Sequence, residues 1–155
     1  MSIKEKIESL GLTLPVAALP VAAYVPAVKT GNLVFVAGQL PLVDGKIVKE
    51  GKVGKEVTPE EAKAMAQVCA LNALAAVALV ADLDHIGRIV RVGGFVNGVP
   101  GFFAIPPIIN GASELFIELF GEVNGKHART AIGVAELPLN SPVEIEVTVQ
   151  LKEGI

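Results

Sequence analysis

The chain has 155 residues, of which 52% are hydrophobic, and carries a formal charge of −3 at pH 7. That length suits one domain with its own core, and a single cysteine excludes both an internal disulfide framework and a cysteine-based metal site. The 13 basic residues are scattered, so the sequence lacks the basic surface typical of nucleic-acid-binding proteins. Cys69 lies in the apolar segment MAQVCALNAL and is predicted to be a buried packing residue. His85 and His127 lie far apart, so no metal site is expected.

The hydrophobic content bears on membranes and on assembly. Residues 64–81 are apolar but rich in alanine and interrupted by Gln67 and Asn72, which argues against a membrane span. The N-terminal residues are charged rather than apolar, so we expect a cytoplasmic protein. The mean hydropathy of +0.58 is high for a small monomer, and a helix that is apolar on all sides must be covered. We therefore expect a homo-oligomer.

The N-terminal part is predicted to precede the main sheet. Ser2 and Glu5 form the pattern of a capping box, and Gly11 is a typical helix stop, so residues 3–10 should form a short helix. Residues 12–26 contain three prolines, which favours an extended strap. Residues 1–21 are thus the N-terminal helix and strap of a single domain spanning residues 1–155.

The first sheet elements and the first long helix follow. Residues 32–38, NLVFVAG, have the composition of a buried strand. Asp44-Gly45 between two apolar segments is typical of a tight hairpin. Thr58 is a helix cap, Pro59 suits the first helical position and Glu61 completes a capping box, so a long helix should run to about residue 81.

The second half alternates strands and one more helix. Residues 88–97 are predicted to be a strand with a bulge or a close backbone approach at Gly93-Gly94. Residues 98–109 are predicted to be irregular and residues 111–120 helical, with Gly121 as the stop. Two strands, at about 128–136 and 143–151, complete an α+β layout with helices on one face of a mixed sheet.

The strand at 128–136 carries an unusual arginine. Arg129 shares one face with three small residues, and Thr130, Ile132 and Val134 share the other, which is the face expected to be buried. Small neighbours leave space beside the guanidinium, which favours a pocket that grips a carboxylate through two parallel hydrogen bonds. Periodicity alone leaves a second interpretation open, namely a surface arginine in a salt bridge.

The last strand offers a second candidate. Glu144, Glu146, Thr148 and Gln150 alternate with apolar residues, and solvent explains the last three. Glu144 follows the turn LPLNSP that leads from the Arg129 strand, so it is a candidate acid/base or water-positioning group near Arg129. The nucleophile-elbow, Walker and dinucleotide-binding motifs are absent.

Two blocks of sequence resemble the reactive-intermediate deaminase family (Rid, YjgF-like, also described as endoribonuclease L-PSP-like). The first, at 24–41, is YVPAVKTGNLVFVAGQLP, and the second, at 128–138, is ARTAIGVAELP, followed by VEIE at 143–146. The intervening helices occur in the family's order, so the resemblance covers about residues 22–152. The present chain is a longer variant, with an N-terminal helix and an insertion at 98–109.

This resemblance implies a mixed six-stranded sheet with two main helices on one face, plus the short N-terminal helix. It also implies a homotrimer with ligand sites between subunits, no cofactor and no metal. By the same resemblance, Arg129 holds a substrate carboxylate and Glu144 orients water. The implied substrate-binding positions are Tyr24, Gly38, Asn110, Ala37 and Ala131. Ala37 and Ala131 depart from the family pattern, which commonly has Ser and Cys there.

The implied activity is hydrolysis of an enamine or 2-imino acid to ammonia and a 2-oxo acid. A non-catalytic protein that binds small carboxylates or senses metabolites is an alternative, since the chain keeps Arg129 but lacks the Ser and Cys. A ribonuclease or translation-inhibitor role is a third, against which the acidic charge argues. The expected partner is a small carboxylate, and neither nucleic acid nor a membrane is expected.

Overall fold

A mixed five-stranded sheet with two long helices on one face forms the body of the protein. The computed structural model describes residues 1–20 and 22–155. In chain order the elements are α1 (Ile3–Ser9), β1 (Ala27–Thr30), β2 (Leu33–Gln39), β3 (Leu42–Val43), β4 (Lys46–Ile47), α2 (Pro59–Val77), β5 (Ile86–Asn97), α3 (Pro106–Asn124), β6 (Ala128–Val134) and β7 (Val143–Leu151). The α+β class and the single helical layer confirm the sequence prediction.

The strands lie in the order β1-β2-β7-β5-β6, and only the β5–β6 pair is parallel. The sheet thus has five strands where the family resemblance implied six, because β3 and β4 pair only with each other as a separate hairpin. Asp44 and Gly45 both have positive φ (51° and 78°), the conformation that the Asp-Gly pair predicts for a two-residue hairpin turn. Strand β1 was not anticipated from the sequence.

Both predicted capping boxes are present. The Ser2 hydroxyl accepts a hydrogen bond from the Glu5 N–H at 3.1 Å, and the Thr58 hydroxyl accepts one from the Glu61 N–H at 3.1 Å. The predicted strap at 12–20 contains no helix or strand, and Val21 lies outside the described residues. α2 ends at Val77 rather than near residue 81. The N–H groups of Leu79 and Val80 donate to carbonyls three residues back, at Ala76 and Val77, which is the tighter hydrogen bonding of a turn.

The second long helix begins earlier than predicted. α3 starts at Pro106, so part of the segment predicted to be irregular, residues 98–109, is helical. The first N–H groups of a helix have no partner within it, and therefore Pro106 and Pro107 cost no hydrogen bond there. Gly121, the predicted stop, has a φ of 85° and interrupts the helix before a last turn ends at Asn124.

The apolar helix is covered by its own chain. Residues 69–77 of α2, including the predicted buried Cys69, are all buried between the sheet and α3. The apolar character of α2 therefore gives no support for oligomerisation. Exposed aromatic and aliphatic side chains lie instead on the face of the sheet that carries no helix, where Phe35 and Ile132 are 47% and 44% exposed. No helix of the described residues is long and apolar enough to cross a membrane.

Candidate functional site

Arg129 lies on the helix side of the edge strand β6. In the parallel pairing it stands opposite Val92, which is fully buried beneath the helices. The prediction that Arg129 shares a face of β6 with three small residues is therefore correct. The prediction that the opposite face is buried is wrong, because Ile132 on that face points to the open side of the sheet. At Gly133 the helix side leaves little room for a side chain, since a Cβ there would lie 3.0 Å from Ile105 Cδ1.

A relay of hydrogen bonds holds the Arg129 guanidinium. Arg129 Nη1 donates to Asn110 Oδ1 at 2.7 Å and to Ser113 Oγ at 3.2 Å, both on α3. Ser113 Oγ lies 2.8 Å from His127 Nε2, and His127 Nδ1 lies 2.7 Å from the carbonyl oxygen of Gly125. A carbonyl only accepts, so Nδ1 of the neutral ring donates and Nε2 accepts from the Ser113 hydroxyl.

The titration of His127 agrees with this direction of donation. Burial lowers the pKa of His127, and the positive charge of Arg129 lowers it further, although the hydrogen bond to the Gly125 carbonyl opposes the shift. A lowered pKa keeps the imidazole neutral near pH 7. The ring therefore presents Nε2 as an acceptor, and Ser113 is free to accept a hydrogen bond from Arg129.

The relay uses only one end of the guanidinium. Both hydrogen bonds involve Nη1, whereas Nε and Nη2 have no hydrogen-bond partner among residues 1–20 and 22–155. Nor does any described Asp or Glu form a salt bridge with Arg129. Nε and Nη2 are the pair of donors whose spacing matches the two oxygens of a carboxylate, so the half-buried side chain has the donors that an anion would need.

Glu144 lies in a separate cleft of about 270 Å³ on the open side of the sheet. Tyr24, Gly38 and Leu139 also line this cleft. The approach to Gly38 is close, since a Cβ there would lie 2.5 Å from Glu144 Oε1. Burial raises the pKa of Glu144, and the negative charge of Glu146 raises it further, so this carboxyl binds its proton more tightly than an ordinary glutamate.

Within one chain the two candidates do not meet. β5 lies between β6 and β7, and Glu144 is paired with Phe95, whose own partner on β6 is Ile132 on the open face. Arg129 and Glu144 therefore project from opposite faces, although a short turn joins their strands. A site that contains both requires a second copy of the chain.

The remaining predicted site residues lie either near Arg129 or near the Glu144 cleft. Asn110 contacts Arg129 but lies in the second turn of α3 rather than at its start. Ala131 is half-buried on the Arg129 face, and Ala37 precedes Gly38, with its N–H donating to the Pro26 carbonyl at 2.8 Å. Ser113 was missed, although its i+3 spacing from Asn110 on a helix would have placed both on one face.

Comparison with known proteins supports the fold and identifies the family. Residues 4–151 match a family described as "YjgF/chorismate_mutase-like, putative endoribonuclease". The chain belongs to this family. Among its relatives, "Protein TCP17" of Trypanosoma cruzi is 39% identical over 150 residues, covering 96% of this chain and 94% of the relative.

Two further proteins, one solved structure and one curated relative, are similar to this chain. A crystal structure of an Agrobacterium tumefaciens protein with unknown function has a TM-score of 0.88 and 44% identity, and the match covers 97% of this chain and 94% of that one. A Dermatophagoides farinae protein named 2-iminobutanoate/2-iminopropanoate deaminase is 30% identical over 141 residues, covering 91% of this chain and 95% of its own length.

Proposed function

We propose that this protein hydrolyses 2-imino acids, or the enamines in equilibrium with them, to ammonia and 2-oxo acids. The observation that carries the proposal is the guanidinium of Arg129, which is anchored through Nη1 while Nε and Nη2 are left for a carboxylate. The D. farinae relative named as a deaminase, which is 30% identical to this chain, adds support. No cofactor is required by this chemistry.

The proposed site combines two copies of the chain. One copy supplies Arg129 and Asn110, and another supplies Tyr24, Gly38 and Glu144. The apolar side chains on the open face, such as Phe35 and Ile132, supply surface that subunit association would cover. A homotrimer, as the family resemblance implies, and a cytoplasmic location complete the proposal.

The reaction needs only positioning and one proton carrier. Arg129 binds the substrate carboxylate, which places the C=N carbon near the Glu144 cleft. The substrate reacts as the protonated imine. The ionised Glu144 accepts a proton from water as the water oxygen bonds to that carbon, and the electron pair of the C=N bond passes to the nitrogen, which becomes a neutral amine. A proton from Glu144 then goes to this amine, the C–N bond breaks with release of ammonia, and the ionised Glu144 takes the hydroxyl proton as the carbonyl forms.

A non-catalytic role has a specific observation in its favour. Ala37 and Ala131 supply neither the hydroxyl nor the thiol common at these positions in the resembling family. The Arg129 relay does not depend on either residue, so carboxylate binding would survive without turnover. A small-carboxylate binding or metabolite-sensing protein is therefore the second candidate.

Replacement of Arg129 tests both candidates. In a coupled ammonia-release assay with 2-iminopropanoate generated in situ, Arg129→Ala should lower kcat/KM more than about a hundredfold, since it removes two charge-assisted hydrogen bonds. Arg91→Ala is the matched control, because Arg91 is exposed on β5 and bonded to Thr130. Unchanged turnover in Arg129→Ala would refute the role of this residue.

A binding titration separates catalysis from binding. Wild-type protein that binds pyruvate but releases no ammonia above the uncatalysed rate would favour the binding protein over the hydrolase. Loss of pyruvate binding in Arg129→Ala, with binding retained in Arg91→Ala, is expected for both candidates.

A further inference from the structure

A second cavity, unrelated to Arg129, lies beneath the N-terminal strap. It has a volume of about 680 Å³ and is lined by strap residues 13–16 and 18, hairpin residues 42–45 and the α2 residues Val68, Leu71 and Asn72. This volume lies within the range of about 300–1,000 Å³ typical of small-molecule sites. It also exceeds the approximately 270 Å³ of the Glu144 cleft.

The wall of this cavity contains one buried polar group. Asn72 is 8% exposed, and its Nδ2 donates to the carbonyl oxygens of Leu40 and Leu42 at 3.0 and 3.1 Å. Two carbonyl acceptors fix the orientation of the amide, so the other terminal atom is the oxygen.

Asn72 Oδ1 accepts no hydrogen bond from the part of the chain that the structure describes, residues 1–20 and 22–155. No fully buried side-chain nitrogen or oxygen in those residues lacks a partner, so this oxygen keeps some exposure, and Asn72 is one of the residues that line the cavity. An acceptor in an apolar wall favours a molecule that brings a donor.

The charge of the cavity wall further restricts the kind of molecule that could bind there. No Lys, Arg or His lines the cavity, and Asp44, its one charged residue, is exposed in the hairpin turn. A carboxylate or phosphate would find no partner here and would meet a like charge at the hairpin. A cation is disfavoured as well, because Asp44 is exposed to water and offsets little of the cost of moving a charge into an apolar wall. A neutral occupant therefore fits best, which distinguishes this cavity from the anion site at Arg129.

We propose that this cavity is a binding site for a small, neutral, largely apolar molecule with one hydrogen-bond donor. The donor reaches Asn72 Oδ1, and the apolar body packs between the strap and α2. The site does not depend on the proposed hydrolase function. It shares Ala18 and Leu42 with the Glu144 cleft, so the strap and hairpin form a common wall.

Indole and indene provide a matched pair of probes, because they share a shape and differ in the N–H donor. In a ligand-observed NMR titration of the wild-type protein, indole should bind about three- to tenfold more tightly than indene, the value of one hydrogen bond. Equal affinities, or no binding of indole, would overturn the proposal without any variant. The second result includes the case in which another copy of the chain fills the cavity.

Two tryptophan variants locate the binding. Leu71→Trp places an indole ring of the protein in the cavity and should weaken indole binding at least tenfold. Leu79→Trp is the matched control, because Leu79 is 51% exposed and lines none of the cavities described above, and it should bind indole like the wild type. Equal binding by both variants would overturn the assignment of the site. Arg129→Ala should bind indole normally, so failure of the hydrolase proposal leaves this result unaffected.

Discussion

Gly38 offers a direct way to move the Glu144 carboxylate without touching it. The φ of Gly38 is not in the left-handed region, so the backbone accepts alanine. The added Cβ would lie 2.5 Å from Glu144 Oε1, whereas ordinary contacts begin at 3.4 Å. The carboxylate must therefore retreat by about 0.9 Å (3.4 minus 2.5), and a misplacement of about 1 Å in a catalytic group costs on the order of a hundredfold in rate.

The assay for Gly38→Ala is ammonia release from 2-iminopropanoate, measured beside pyruvate binding. We expect kcat to fall about a hundredfold. We expect pyruvate binding to change little, because the substitution leaves intact the hydrogen bonds to Asn110 and Ser113 that hold the carboxylate-binding Arg129. Stability should be nearly unchanged, since the obstructing atom is the end of a flexible side chain.

Gly93→Ala is the matched control for this experiment. A Cβ at Gly93 would lie 2.7 Å from Cγ and Oε1 of Glu146, so this substitution also displaces a glutamate on the open face. Glu146 touches no substrate in the proposed reaction and acts only on the pKa of Glu144, so turnover should stay near the wild-type value at a pH where Glu144 is ionised. Equal turnover in wild type and Gly38→Ala would refute the argument that Glu144 positions the water.

Two further substitutions test the hydrogen-bond relay at Ser113 and the titration of Glu144. Ser113→Ala should destabilise the protein by about 1–3 kcal/mol in urea unfolding, because it leaves His127 Nε2 without its partner, whereas Ser9→Ala at an exposed hydroxyl should cost less than about 0.5 kcal/mol. Equal stabilities would mean that the relay contributes nothing. Glu146→Gln removes a negative charge that raises the pKa of Glu144, so the acidic limb of the kcat/KM profile should move to lower pH. An unmoved limb would mean that Glu144 is not the titrating group.

Local signals in the sequence predicted the beginnings of elements better than their ends. Capping boxes at Ser2 and Thr58 start α1 and α2 because a few neighbouring residues satisfy the free N–H groups. The end of α2 carries no Gly or Pro, so nothing local marks Val77. Pro106 misled the prediction for α3, since proline is common both in loops and at the first helical position.

The alternation of side chains along the strands predicted one part of the candidate site. Alternation correctly grouped Arg129 with its small neighbours, and family resemblance indicated Asn110 as a neighbour of the site. Which face the helices cover depends on how α3 packs, which no local pattern encodes. The distance between Arg129 and Glu144 was misjudged for a similar reason: a short turn links their strands in sequence, but β5 inserts between them in the sheet.

Because Arg129 and Glu144 project from opposite faces of the sheet, the proposal that one site combines two copies of the chain can be tested by complementation. Arg129→Ala and Glu144→Gln should each be inactive alone, since each copy then lacks one half of every site. If a site takes Arg129 from one copy and Glu144 from another, random assembly of an equal mixture leaves about a quarter of the sites with both residues intact. Co-expression of the two variants in equal amounts, with purification of all oligomers through a tag common to both chains, provides the sample for ammonia release.

The recovered activity distinguishes the two arrangements. A site contained within one chain would never hold both intact residues in such a mixture, so its activity would stay at the level of the single variants. Recovery of about a quarter of wild-type kcat per chain follows only if the guanidinium and the carboxylate come from different copies. Because one chain places them on opposite faces of a five-stranded sheet, with β5 between their strands, no side-chain rotation can substitute for the second copy.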